Sequence, residues 1–149
     1  MHLYPRLTLL VFSLILFSCN SSKKVTSQEI KQPAYFIIGS GGGFTGLYTQ
    51  YKIDDSGIIE LYDFESKTYH HFHNVSKSKV KDFFIQIEEL NLNKVDYIKP
   101  GNISDYIEVL TPEQTLNRIV WANSTSEQRP DIIQFYDKVM LFIKGLETE

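Results

Sequence analysis

The stretch that decides the fold spans residues 34–53 and reads AYFIIGSGGGFTGLYTQYKI. Residues 34–38 are rich in strand-forming side chains, and residues 47–53 resume strand character with Leu47, Tyr51 and Ile53 in a period-two pattern. A glycine-rich segment separates the two runs. We therefore expect residues 34–38 and 47–53 to pair as antiparallel strands.

Further strands and two helices follow along the chain. Asp54-Asp55-Ser56-Gly57 is a turn sequence, after which residues 58–64 form a third strand, and residues 67–73 are a candidate extension of this meander. Residues 103–110 and 115–121 indicate a second hairpin. One face of a helix is predicted by the apolar spacing of Val80, Phe83, Phe84, Ile87 and Leu90.

The last helix begins at Pro130, because proline is favoured at the first helical position and Asp131 follows it in the first turn. The order β-β-β-α-β-β-α predicts an α+β fold, with a single antiparallel sheet of about five strands and two helices packed on one face. This globular domain is expected to cover residues 34–149.

The N-terminus has the features of an export signal. Arg6 precedes an apolar run at residues 7–17, which is too short for a transmembrane helix of about 20 residues. Leu16-Phe17-Ser18 precedes Cys19, the only cysteine, and this order resembles the bacterial lipobox. The resemblance implies a signal peptide at 1–18, a diacylglyceryl thioether and an N-terminal acyl group on Cys19, and a flexible tether at 19–33.

The location and the partners are limited by charge. Acidic residues directly after the cysteine would resemble a surface-export tag of Bacteroidota lipoproteins. The segment after Cys19 lacks them and reads Asn20-Ser21-Ser22-Lys23-Lys24. We therefore predict that the protein is anchored in the outer membrane and faces the periplasm. The formal net charge of −3 leaves no basic surface for nucleic acid. The expected partners are the membrane, through Cys19, and another envelope protein.

Residues 41–46 satisfy the pattern G-x-G-x-x-G, but a strand rather than a helix follows them, so a dinucleotide site is not expected. Two interpretations stay open. The segment is a glycine turn or bulge where another backbone passes closely, or it is a loop that presents Phe44 to a partner. The partner-binding residues would then be Gly42, Gly43, Phe44, Thr45 and Gly46.

Residues 41–46, Asp55-Ser56-Gly57, Pro100-Gly101-Asn102 and Ile119-Val120-Trp121 resemble small uncharacterised lipoproteins of Bacteroidota over most of the domain. The segment 42–46 is also similar to the opening strand and turn of emfourin-type inhibitors of thermolysin-like metalloproteases. That second resemblance implies protease inhibition as the most specific function.

His71 and His73 project to one face if they lie on a single regular strand, and they are candidate metal ligands. A third ligand would come from Glu60, Asp63 or Glu65, whereas exposed edge histidines are the commoner explanation. No cofactor is predicted, and no serine lies in a nucleophile motif. The first hypothesis is thus a non-enzymatic, protein-binding lipoprotein, and the alternative is a periplasmic small-ligand or metal-binding module.

Overall fold

A computed structural model describes residues 32–43, 46–123 and 129–148. The fold is α+β and has two helices and one seven-stranded sheet, as the sequence predicts in outline. The elements in chain order are β1 (Tyr35–Gly42), β2 (Leu47–Asp54), β3 (Ile58–Asp63), β4 (Thr68–Asn74), α1 (Lys77–Glu89), a 3₁₀ turn (Leu92–Lys94), β5 (Ile98–Lys99), β6 (Ile103–Leu110), β7 (Thr115–Ala122) and α2 (Pro130–Leu146).

The order of strands across the sheet is β4-β3-β2-β1-β6-β7-β5, and β1 lies at its centre. β1 pairs over its whole length with β2 on one side and with β6 on the other, antiparallel in both cases. The pairing of residues 34–38 with 47–53 is therefore confirmed. The hairpin of β6 and β7 is antiparallel as well.

Two details of the predicted sheet are wrong. It has seven strands instead of about five, and it is mixed, because β5 runs parallel to β7. Only two residue pairs join β5 to β7, and a strand of two residues has no periodicity to detect. The Asn117 side chain holds the preceding segment against β7 by donating to the carbonyls of Leu92 and Val95, at 2.7 Å each.

Both helices pack on the same face of the sheet and share one hydrophobic core with it. Phe36 on β1 is fully buried there, and its ring centroid lies 6.5 Å from that of Phe83 on α1 and 6.0 Å from that of Phe135 on α2. The other strand residues of this core alternate along the chain: Ile38, Tyr51, Ile53, Ile59, Ile107, Val109, Ile119 and Trp121.

Burial of apolar side chains stabilises α1, although the residues at its ends do not compensate the helix dipole. The first turn carries no acidic residue, the last turn carries no basic residue, and Ser76 makes no side-chain capping bond. The buried residues Val80, Phe83 and Ile87 supply the stabilisation instead. α2 has the opposite arrangement, with Asp131 in its first turn and Lys144 in its last.

Candidate functional site

The face of the sheet opposite the helices, which we call the open face, carries a second, smaller apolar cluster. Its buried members are Ile37, Tyr106, Leu110 and Val120, with Tyr35 and Tyr69 packed against them. No residue of α1 or α2 belongs to this cluster. The open face is thus built from the strand residues that alternate with the core, and it is rich in tyrosine.

Two glycines of β1 make room for tyrosine rings on the open face. A Cβ atom on Gly39 would lie 2.5 Å from the Tyr106 hydroxyl, and a Cβ atom on Gly41 would overlap the ring of Tyr48. Aromatic rings that cover strand glycines restore the packing that glycine itself cannot supply. Part of the glycine-rich segment therefore has a structural role in the centre of the sheet.

Gly42 ends β1, and Gly43 begins the turn between β1 and β2. Gly42 has a φ of +117°, and a Cβ atom there would lie 2.5 Å from the Asn102 carbonyl oxygen. The Gly43 N–H donates to that same oxygen at 2.5 Å. The expectation that another backbone passes closely at this segment thus has a concrete cause, the chain entering β6.

A hydrogen-bond chain crosses the centre of the open face. The Tyr106 hydroxyl donates to Gln50 Oε1 at 2.7 Å, and Gln50 Nε2 donates to the Tyr69 hydroxyl. Burial raises the pKa of Tyr69 to about 12 and raises the pKa of Tyr106 as well. Both phenols therefore stay neutral at physiological pH.

The charged side chains in the same area are paired with one another and with aromatic rings. Lys52 Nζ lies 2.5 Å from Glu60 Oε2, and it is 4.9 Å from the ring centroid of Tyr69. Arg118 lies 3.3 Å from Glu108 and 5.3 Å from the ring centroid of Tyr106. At the centre of the open face, the charged side chains are therefore already paired with one another and with aromatic rings.

The end of the sheet beside the β1–β2 turn is different, because it contains a groove of about 550 Å³, whose lining includes Tyr51 and Leu61 from the core side of the sheet as well as Tyr48 and Tyr62 from the open face. Tyr48 and Phe64 contact each other there, with ring centroids 5.2 Å apart, and Tyr62 contacts Phe64 at 4.7 Å. We call this the aromatic groove, and its lining residues are Gly46, Tyr48, Thr49, Tyr51, Leu61, Tyr62, Asp63, Phe64, Glu65 and His70.

The aromatic groove combines exposed rings with carboxylates. Tyr48 is 49% exposed and Phe64 is 39% exposed, which is high for large aromatic residues. Hydrogen bonds from the Ser66 hydroxyl and the Glu65 N–H hold the pKa of Asp63 below its usual value, so this carboxylate is ionised at neutral pH. The groove therefore offers apolar rings next to negative charge.

A cluster of Ser66, His70 and Asp63 at the groove resembles a catalytic triad in composition but not in geometry. Ser66 Oγ lies 3.3 Å from His70 Nε2, and Asp63 Oδ2 lies 3.8 Å from the same nitrogen. A triad needs the acid on the other ring nitrogen, where it orients the base. Asp63 ends β3, Ser66 lies in the turn that follows and His70 lies on β4, and all three are exposed or half-exposed, so this geometry is not that of a triad.

Gly42 is the last residue of β1, Gly43 and Gly46 lie in the turn between β1 and β2, and Gly46 also lines the aromatic groove. Phe44, Thr45 and Cys19 lie outside the described residues. Of the predicted partner-binding residues, the structure thus brings one to the groove. Lipidation of Cys19 stays a prediction.

The two candidate metal ligands lie on β4 at a β-bulge. His71 pairs with Glu60 and His73 pairs with Ile59, which are consecutive residues of β3. Consecutive strand residues point to opposite faces, so the register does not place the two imidazoles opposite one face of β3. Within residues 32–43, 46–123 and 129–148, no group of three or more His, Cys, Asp or Glu could hold a metal ion.

Sequence reasoning did not identify Tyr62, Phe64, Glu65 and His70 as parts of one site. A signal was present, because Tyr48 and Tyr62 fall between the core positions of β2 and β3, where polar residues are the usual choice. Large aromatic residues at such positions indicate an exposed aromatic surface. That Phe64 joins them depends on the turn after β3, which no local pattern specifies.

Comparison of the chain with models of protein families finds no match, and comparison with curated proteins finds none. None of the described helices is long and apolar enough to cross a membrane.

Proposed function

We propose that this protein is a bacterial envelope lipoprotein, held by acyl chains on Cys19, whose α+β domain binds another protein and has no catalytic role. Its expected location is the outer membrane, with the domain facing the periplasm. The lipobox-like order Leu16-Phe17-Ser18-Cys19 supports the anchor. Several acyl chains together give durable membrane attachment, whereas one chain gives only marginal binding.

The observation that carries the binding proposal is the aromatic groove beside the glycine turn. Its rings of Tyr48 and Phe64 are both more than a third exposed, although each is large and mostly apolar. Aromatic residues dominate the binding energy of protein interfaces when a partner removes them from water. The groove is therefore the place where a partner would gain the most by covering the domain.

The centre of the open face is less suited to that role. Lys52 is paired with Glu60, Arg118 is paired with Glu108, and the hydroxyl of Tyr106 donates to Gln50. A partner would have to desolvate or replace these pairs, which is expensive unless new partners are supplied. A partner protein would therefore dock more favourably on the aromatic groove than on these paired side chains.

In its most specific form, the proposal is that the bound partner is a protease and that binding inhibits it. The similarity of residues 42–46 to emfourin-type inhibitors motivates this form. Phe44 and Thr45 directly precede Gly46 in the sequence, and Gly46 lines the aromatic groove. One partner surface could therefore contact the turn and the groove together.

The anchor is tested by growing cells that express the chain with radiolabelled palmitate. Label is expected on the wild-type protein and absent from Cys19→Ser, which should also appear in the soluble fraction. Equal labelling of both forms would contradict the lipid anchor. So would recovery of the uncleaved N-terminus by mass spectrometry.

Binding is tested by affinity capture from detergent-solubilised envelope after chemical crosslinking. The baits are the wild-type chain, Phe64→Ala, Phe44→Ala and the control Leu141→Ala. Leu141 is 73% exposed on α2, so its removal changes an exposed apolar side chain away from the groove. A partner is expected to be lost by about tenfold with the two Phe variants and retained with Leu141→Ala. Equal recovery from all four baits would refute the proposal.

A further inference from the structure

We propose that β4 pairs along its outer edge with β4 of a second copy of the chain, so that two domains share one continuous sheet. This inference goes beyond the proposed binding at the aromatic groove. β4 (Thr68–Asn74) is the last strand on its side of the sheet, and among the described residues β3 is its only neighbouring strand. Every second residue of such a strand points its N–H and C=O away from the neighbour, so the outer edge of β4 offers unpaired donors and acceptors.

The two edges of the sheet are protected from further pairing to different degrees. Natural edge strands avoid unwanted pairing by being short, by carrying lysine or proline, or by bulging. β5 fits this description, because it has two residues, ends at Lys99 and is followed by Pro100. β4 has seven residues and contains no proline, lysine, arginine, aspartate or glutamate. β4 is therefore the edge of the sheet that can accept another strand.

The bulge in β4 is itself a protective feature, and it limits the pairing to the first half of the strand. It leaves Phe72 without a partner on β3, whereas residues 68–71 pair in unbroken register with residues 60–63. A regular stretch of strand is what a new neighbour needs to form a ladder of hydrogen bonds. The inferred contact therefore uses residues 68–71.

The occupant is a second copy because β4 can meet its own sequence without repulsion between fixed charges. Identical antiparallel strands bring the same short stretch of each copy together, and like charges placed opposite each other are destabilising. Residues 68–71 read Thr-Tyr-His-His and carry no permanently charged side chain. Twofold pairing also closes on itself, and β5 is too short to extend the sheet at its other edge. A short contact of this kind suits two copies held on one membrane, where the effective concentration is high.

Symmetry limits the register of this pairing to two possibilities. Opposite residues must point to the same face of the shared sheet, so the twofold axis passes through a residue of β4 rather than between two residues. Within residues 68–71, only an axis at Tyr69 or at His70 gives three opposite pairs. The residue on the axis faces its own copy at a Cα–Cα distance of about 4.5–5.5 Å, which is within the range of a disulfide. A cysteine at one of these two positions should therefore link the two copies.

The test uses the full chain in isolated envelope membranes, oxidised with copper-phenanthroline and analysed by non-reducing electrophoresis. Tyr69→Cys and His70→Cys are compared with the wild-type chain, whose single cysteine is Cys19, and with Ile98→Cys, which places a thiol on the exposed edge of β5. A product of twice the chain mass is expected from one of the two β4 variants and from neither control. The inference is overturned by the lack of this product in both β4 variants, by an equal amount of it in either control, or by a product that contains a different protein.

A charge exchange at position 70 tests the same contact without a cysteine. Two differently tagged copies of the full chain are co-expressed, crosslinked in the membrane and purified through one tag. Recovery of the other tag should fall severalfold when both copies carry His70→Lys or both carry His70→Glu, and it should return when one copy carries each. Ile98→Lys in both copies is the matched control on the other edge and should leave the recovery unchanged. Equal recovery from all pairs, or a loss that the mixed pair does not restore, would contradict pairing through β4.

Discussion

The two faces of the sheet are built from alternate residues of the same strands, yet their side chains are buried in different ways. On the helix-covered face, Phe36 and Ile38 are fully buried against α1 and α2. On the open face, Ile37 and Tyr106 are buried in a small cluster with Leu110, Val120 and neighbouring tyrosines, and no helix covers it. The comparison teaches that the helix-covered face carries the stability, whereas the open face has surface available for binding.

The largest expected effect is on the helix-covered face. Phe36→Ala should lower the free energy of unfolding by about 3–5 kcal/mol, because it leaves a cavity between Phe83, Phe84 and Phe135. Tyr35→Ala changes the next residue, on the open face, and should cost clearly less. Urea denaturation followed by circular dichroism measures both. Equal losses would remove the distinction between the faces.

The next effect concerns the glycines under the tyrosine rings. Gly39→Ala should destabilise by about 1–3 kcal/mol, because the new methyl group meets the Thr49 backbone carbonyl as well as the Tyr106 hydroxyl. At Gly41 the nearest atoms belong to the half-exposed ring of Tyr48, which can rotate away. Gly41→Ala should therefore cost less in the same denaturation assay. The reverse order would show that Tyr48 is held rigidly.

Ionisation of buried tyrosines at alkaline pH should lower the free energy of unfolding, and one such tyrosine lies on each face of the sheet. The pKa values of Tyr51, on the helix-covered face, and of Tyr69, on the open face, are both raised to about 12, mainly by burial. Because the unfolded phenols titrate near 10, their stabilising effect is complete below about pH 10 and is lost as the pH rises toward 12. Denaturation curves at several pH values should show this decline.

The double variant Tyr51→Phe/Tyr69→Phe provides the control for the alkaline decline, because it removes both ionisable hydroxyls. Its unfolding free energy should fall less steeply between pH 10 and pH 12 than that of the wild-type chain. An unchanged slope would assign the decline to other groups.

The smallest effect on stability is expected at the aromatic groove. Phe64→Ala should change the free energy of unfolding by about 1 kcal/mol or less, because its ring is partly exposed and loses only contacts with Tyr48 and Tyr62. Partner capture should nevertheless fall. If Phe64→Ala unfolds the domain instead, the groove is part of the core and the comparison fails.

Much of the fold could be predicted because long segments with a regular spacing of apolar residues indicate their own secondary structure. The apolar stripe of α1, Pro130 at the start of α2 and the strands around the glycine segment were all visible in the sequence. β5 was not, since its two residues are defined only by pairing with β7, and the segment before them is held by the Asn117 side chain, both of which are tertiary contacts. The bulge that gives His71 and His73 consecutive partners on β3 was equally invisible.

The site was only partly predictable for the same reason. The glycine turn marked one side of the aromatic groove, and Gly46 indeed lines it. Phe64 and Glu65 come from the β3–β4 turn and His70 comes from β4, and these residues reach the groove only after the sheet has formed. Local sequence patterns identify the elements, whereas this site depends on how two turns meet.

The central claim, that the aromatic groove binds a protein, is tested most directly by photo-crosslinking in intact cells. The crosslinker p-benzoylphenylalanine would replace Tyr48 in the groove or Leu141 on α2, both of which are exposed. We predict a discrete higher-mass product from position 48 and none from position 141. No product from position 48, or the same product from both positions, would contradict the claim.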